Sequence, residues 1–245
     1  MVEKLQQLQL WVRDSIYKKI EIAEPKLASW NAKSDPGQIA VQRYLDGIKQ
    51  ELDPLPQASG LFLHMEIDVK EREHLLHHHD LDNYLYPVVN RLGVHRFRLV
   101  SAIKRIGGGS YLHIGLTKPS NFFPENDSWI SFLHDTGGTS AQKSEWKSGI
   151  RDALKTRQPQ PLKPGAVELQ LIWKCSSQRN WCSLWKPTID GMGPVLGEPN
   201  SHRPFHPNDD RIVSLALHLN TDNSIGWSVQ IGMMWRLCRV VITNK

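Results

Sequence analysis

The chain has 245 residues, with 30 lysines and arginines against 25 aspartates and glutamates, giving a net charge of +5 with neutral histidines. Hydrophobic residues at 40% and charged residues at 22% exclude a largely disordered chain, and no apolar run is long enough to span a bilayer. Three cysteines without metal-ligand spacing (Cys175, Cys182, Cys238) argue against a disulfide framework and for a reducing, cytoplasmic setting, while the basic excess permits a polyanionic partner without requiring one.

Residues 1–30 open the chain with charges interleaved among leucines. Leu5, Leu8, Val12 and Ile16 fall on one side at helical spacing, which predicts an amphipathic helix rather than a leader or an anchor. A first half, residues 31–118, follows. It contains a helix ending in GIKQEL (Gly47 to Leu52), a proline-rich turn and an alternating strand. That strand puts Leu61, Leu63, Met65, Ile67 and Val69 on one face and His64, Glu66 and Asp68 on the other. Then come a histidine-rich loop, a helix over DLDNYLYPVVNRLG (Asp80 to Gly93), and strands around RLVSAIKRI (Arg98 to Ile106) and LHIG (Leu112 to Gly115). Gly107, Gly108 and Gly109 link those two strands as a turn. The stretch 119–142, rich in proline, glycine and polar residues, reads as a connector.

Residues 143–245 repeat the first half. GIRDAL (Gly149 to Leu154) answers GIKQEL, and NWCSLWKPTIDGMG (Asn180 to Gly193) answers DLDNYLYPVVNRLG with Pro187 on Pro87 and Gly193 on Gly93. RIVSLALHL (Arg211 to Leu219) answers RLVSAIKRI, and VQIG (Val229 to Gly232) answers LHIG. Each alone is a short match; their common order is the signal. The expected fold is α+β: two pseudo-symmetric halves in one chain, each helix-strand-helix-strand-strand, plus the amino-terminal helix. Halves of this size bury little surface alone, so they are expected to pack about a pseudo-twofold axis.

Acidic residues fall unevenly on the two halves. Asp80 and Asp82, spaced one apart, project to the same side of an extended segment and suit a hard cation such as Mg²⁺ or Mn²⁺. Capping of the following helix by Asp80 or Asp82, with Asn83 helping, is the alternative. His77, His78 and His79 read as a solvated loop more readily than as metal ligands. In the second half Asn180 and Cys182 stand where Asp80 and Asp82 stand. That half instead carries Lys186 and Asp190 one turn apart, and Asp209 and Asp210 at the mouth of the next strand, where the first half has Arg96 and Phe97. The Lys186–Asp190 spacing also permits an ordinary surface ion pair, and Asp209-Asp210 an ordinary turn.

On these residues the sequence resembles the RusA-type Holliday junction resolvases. Their pattern is a strand, an Asp-x-Asp-Asn-x-x-Lys helix start, an aspartate four residues on, and an Asp-Asp leading into a strand that ends near a lysine. Asp80, Asp82, Asn83 and Lys104 match in the first half, with Tyr86 and Asn90 departing from it. Lys186, Asp190, Asp209 and Asp210 match in the second, with Asn180, Cys182 and Ser183 departing. The resemblance covers roughly residues 35–118 and 143–235. It implies two RusA-like halves, a DNA partner (branched or structured) and Mg²⁺- or Mn²⁺-dependent nicking, with Asp80, Asp82, Asp209 and Asp210 as ligands and Lys186, Asp82 and Asp210 as catalytic residues. Neither half holds a full set. Either the partial sets meet in one composite site, or the scaffold has decayed to DNA or protein binding without catalysis.

Arg91, Arg96, Arg98, Lys104 and Arg105 cluster around one strand, where they either follow a phosphate backbone or line a solvated sheet face. Trp173 and Trp235 follow strand periodicity and are expected in the core. Trp181 and Trp185 flank the altered acid motif and are expected to pack, with base stacking as the alternative.

Overall fold

Alternating strands and two strongly one-sided helices organise the chain around a single sheet. In a computed structural model, the described residues are 7–27, 34–56, 60–77, 80–120, 129–199, 202 and 204–238. They form strands β1 (Leu10–Ile22), β2 (Leu61–Asp68), β3 (Phe97–Arg105), β4 (Ser110–Ser120), β5 (Ile130–Asp135), β6 (Val167–Cys175), β7 (Ile212–Thr221) and β8 (Val229–Leu237). Five α-helices accompany them: α1 (Pro36–Leu52), α2 (Leu81–Leu92), α3 (Ser144–Arg157), α4 (Trp185–Asp190) and α5 (Gly193–Leu196). The protein is α+β, with one mixed eight-stranded sheet in the order β1-β4-β2-β3-β7-β6-β8-β5.

That order reads alike from both edges. β2 runs parallel to β3 and antiparallel to β4; β6 runs parallel to β7 and antiparallel to β8. β3 and β7 meet antiparallel at the centre, with Ser101 opposite Ala216. β1 borders β4 at one edge, as β5 borders β8 at the other. The matched sequence segments fall in like order on the elements: the ends of α1 and α3, α2 and the short turn Trp181–Leu184 with α4, β3 with β7, and β4 with β8.

The helices follow from local chemistry. α1 starts at Asp35, whose carboxylate accepts from Gly37 N (2.9 Å) and Gln38 N (3.2 Å), with Pro36 in its first turn. Its buried stripe is Val41, Leu45, Ile48 and Leu52; that of α3 is Trp146, Ile150 and Leu154. Both stripes join one hydrophobic cluster with Leu61, Leu63, Met65, Val100 and Ala102 of the first half and Leu169, Leu171, Trp173, Leu215 and Leu217 of the second. The core is therefore continuous across the β3–β7 seam. Trp173 and Trp235 lie in it, and so do Trp181 and Trp185, so both of the latter pack rather than stack on a partner.

Two expectations from sequence are corrected. The amino-terminal amphipathic helix is a strand: β1 pairs with β4 along its length. Two register irregularities, between Arg13 and Ser15 and between Ile16 and Lys18, shift its inward face and break the alternation, leaving a spacing that imitates a helical stripe. Val12 and Ile16 are exposed, while Leu8 and Leu10 are buried against Ile172 and Met234; Leu5 lies outside the described residues. The connector 119–142 also contains a strand, β5, whose mixed sequence ISFLHD suits an edge position.

The start of β1 leaves its own half. The Trp11 backbone N–H donates to His218 Nδ1 (3.2 Å) and its indole N–H to Leu219 O (3.0 Å), while Asn220 Nδ2 donates to Gln9 O (2.8 Å). Gly115 makes room for this strand, since a Cβ there would lie 1.8 Å from Ser15 O. The Gly107–Gly109 link is a turn with φ of 74°, 88° and 77°, and the amides of Gly107 and Gly109 donate to the Asp68 carboxylate (2.9 and 3.0 Å).

Candidate functional site

Where the end of β3 meets the start of β7, the beginnings of α2 and α4 bring charged residues from both halves together. Asp80 occupies the position before α2 where a cap would sit, yet its carboxylate makes no capping hydrogen bond to the helix. It accepts instead from Asn83 Nδ2 (3.0 Å) and lies 3.7 Å from Lys186 Nζ. Lys186 rises from the first turn of α4, where it also contacts Asp190 Oδ1 (3.6 Å) one turn along and forms a close ion pair with Asp209 Oδ2. One ammonium thus joins an acid of the first half to two of the second. Asp190 Oδ2 takes a second lysine, Lys147 of α3, at 2.6 Å. Lys104, near the end of β3, hydrogen-bonds the Asp210 carbonyl, and His77 Nδ1 lies 3.8 Å from Asp210 Oδ2.

The short helical turn Asp209–Arg211 is held from behind. Buried Arg211 donates Nε to Gly165 O (2.8 Å) and Nη1 to Leu196 O (3.1 Å), tying the acid pair to the approach to β6 and the end of α5. Five carboxylates (Asp80, Asp82, Asp190, Asp209, Asp210) meet three lysines, so ionisation of all of them leaves negative charge in excess.

Burial sets the protonation of this cluster. Asp82, 4% exposed, is pushed up to about 7 by burial; Lys186 opposes the rise and the charges of Asp209, Asp80 and Asp190 add to it. Asp80 is raised by burial and by Asp209. Burial pulls Lys104 down to about 8 against the attraction of Asp210 and Asp80. For Lys186, burial acts downward but is outweighed by Asp82, Asp209 and Asp80, so its ammonium is held charged far into the alkaline range.

Two cavities flank Lys186 and share Asn83 as a wall. One, about 320 Å³, is bordered by Asp80, Asp209, Asp210, His206 and Asn208. The other, about 270 Å³, is bordered by Asp82, Tyr86, Trp185, Pro187, Lys147 and Asp190.

The donor types fit a hard divalent cation, and the excess negative charge favours one. The arrangement is nevertheless centred on the Lys186 ammonium. Among the described residues, the one set of three acidic, histidine or cysteine residues with ligand atoms all within 4.8 Å of one another is Glu71, Glu73 and His74. That set comprises Glu71 and two residues of the turn Arg72–Leu76 that follows it, and the turn packs beside Asp209–Arg211. Coordination by Asp80, Asp82, Asp209 and Asp210 therefore needs side-chain rotation and a shift of Lys186. His78 and His79 lie outside the described residues.

The structure brings Asp80, Asp82, Lys186, Asp190, Asp209 and Asp210, all singled out in the sequence, to one location. The sequence misses Lys147, which carries no motif, and Arg211, whose role emerges only from the carbonyls around it. The five basic residues expected to follow DNA do not form one face. Alternation along β3 sends Lys104 to the acid cluster and Arg105 to the opposite face, against Glu66 (2.8 Å). Arg96 binds Pro56 O (2.6 Å), Arg98 hydrogen-bonds Thr221, and Arg91 pairs with Asp46.

No known family's sequence model matches this chain, and a search of curated proteins finds no similar sequence.

Proposed function

We propose that the chain is an internally duplicated RusA-like protein that hydrolyses a phosphodiester in branched or structured DNA at the acid–lysine cluster. The observation that carries this reading is the convergence of Asp80 from one half and Asp209 from the other on Lys186, with Asp80 declining the cap position it occupies. The like strand order on either side of the β3–β7 seam supports the duplication. The setting proposed is the cytoplasm.

Asp80, Asp82, Asp209 and Asp210 would hold Mg²⁺ or Mn²⁺, which when bound lowers the pKa of its water and neutralises charge on the phosphate. Lys186, released from its acids, stabilises negative charge developing on the phosphoryl oxygens. Arg211 keeps Asp209 and Asp210 facing the cavity.

The test is cleavage of four-way, flap and linear DNA with Mg²⁺, run beside Asp82→Asn and Asp210→Asn, with Mn²⁺ binding followed by calorimetry. Cutting by the parent and loss in both variants is the expected result. Normal cutting by either variant refutes the shared site.

A second reading has its own observation: three of the five acids already contact lysine nitrogens. The cluster is then a clamp between halves on a binding scaffold without catalysis. Absence of metal-binding heat, together with DNA affinity at low salt, selects the DNA-binding form. Absence of DNA binding even then selects a protein-interaction module.

A further inference from the structure

We infer that the cavity between α2 and α4 is a nucleobase pocket, receiving the base next to the phosphate held on the other side of Lys186. This rests on the nuclease reading and names what that site must take besides a phosphate. Tyr86 and Pro187 give the cavity a flat apolar face, backed by the buried Trp185, while Asp82, Asn83 and Lys147 supply acceptors and donors at its edge. A stacked planar ring with a hydrogen-bonding rim is what such a lining accommodates. Trp185 is 1% exposed and packs behind this face, so the ring that meets the base is that of Tyr86.

The two cavities adjoin through Asn83, and Lys186 contacts Asp209 of one and Asp190 of the other. A nucleotide straddling this partition puts its phosphate among Asp80, Asp209 and Asp210 and its base against Tyr86. Only an unstacked, unpaired base can enter. Near a branch point that unstacking costs least, so the pocket would select structured DNA without any base-pair readout.

The experiment scans a single abasic site across the branch of a labelled four-way junction. Binding is measured by fluorescence anisotropy in Ca²⁺, cleavage in Mg²⁺, and both are repeated with Ser183→Tyr, which places a ring at the exposed rim of the cavity. One abasic position should weaken binding by about tenfold, a loss typical of one stacked base. Ser183→Tyr should bind the intact junction about as weakly and lose that position dependence, with an unchanged circular dichroism spectrum. Tyr86→Leu should reproduce the effect should Ser183→Tyr fail to fold. A flat scan on a junction that is still bound and cut overturns the pocket and leaves the nuclease reading standing. No binding and no cutting of any substrate overturns both.

Discussion

Asp80 to Asp82 at the start of α2 and Asn180 to Cys182, on the short helical turn Trp181–Leu184 ahead of α4, are matched in sequence, yet the first stretch is charged and the second is plugged. At the first, Asp80 leaves its helix uncapped and faces Lys186 across the seam. At the second, Asn180 turns inward on its own backbone and accepts from Cys182 N at 3.2 Å. Cys182, in the place of Asp82, is 1% exposed, and burial raises its thiol well above its ordinary value. Beside it Trp181 donates its indole N–H to Val94 O (2.9 Å) and meets Trp185 edge-on with ring centroids 4.9 Å apart. The difference shows what a polar site demands of this frame. A side chain that satisfies its own helix is unavailable to a partner across the seam, and a carboxylate withheld from its helix needs a counter-charge from the other half.

Removing the plug should have the largest effect. Trp181→Ala is expected to cost about 3–5 kcal/mol by opening a cavity and stranding the Val94 carbonyl. Denaturant unfolding measures this, and a loss below about 1 kcal/mol would show that the second end is not packed as described. At the charged end, Lys186→Met should reduce DNA cleavage by about a hundredfold or more, whereas Cys182→Ser should leave the rate unchanged. Equal losses would erase the distinction between the ends.

Asp82 offers a sharper probe, because its folded-state value lies above the unfolded one. The folded protein then keeps a proton that the unfolded chain has released, so this residue lowers stability as pH rises from about 4 through 7. Asp82→Asn should therefore raise the melting temperature at pH 8, by the equivalent of roughly 4 kcal/mol. The gain should vanish by pH 4, while cleavage is lost at every pH. A variant less stable at pH 8 would make Asp82 a structural acid. The smallest change is expected for Asn180→Ala, about 1 kcal/mol from the lost cap, with cleavage intact in the same assay.

Much of this was legible in the chain. Period-two runs gave β2 and β6. Asp80, Asp82, Asp209 and Asp210 stood out because acids flank apolar segments on both sides. β1 was unreadable because two bulges cancel its alternation, and β5 because an edge strand tolerates polar residues. Lys104 was legible as a basic residue of β3 but not in its direction, which depends on which face of the sheet the helices cover. Lys147 reaches Asp190 only through the packing of α3 on α4, a contact no local pattern encodes.

The crossing of β1 over the sheet carries a consequence for how the molecule forms. Leu8 and Leu10 lie on Ile172 and Met234, and Trp11 bonds Leu219, 208 residues further along the chain. Such long loops slow folding. On the ribosome β1 must wait for these partners, and Asp80 and Asp82 wait likewise for Lys186, Asp209 and Asp210. The charged cluster therefore takes shape only once residues 186–210 have been made, so a chain truncated before them would lack it altogether.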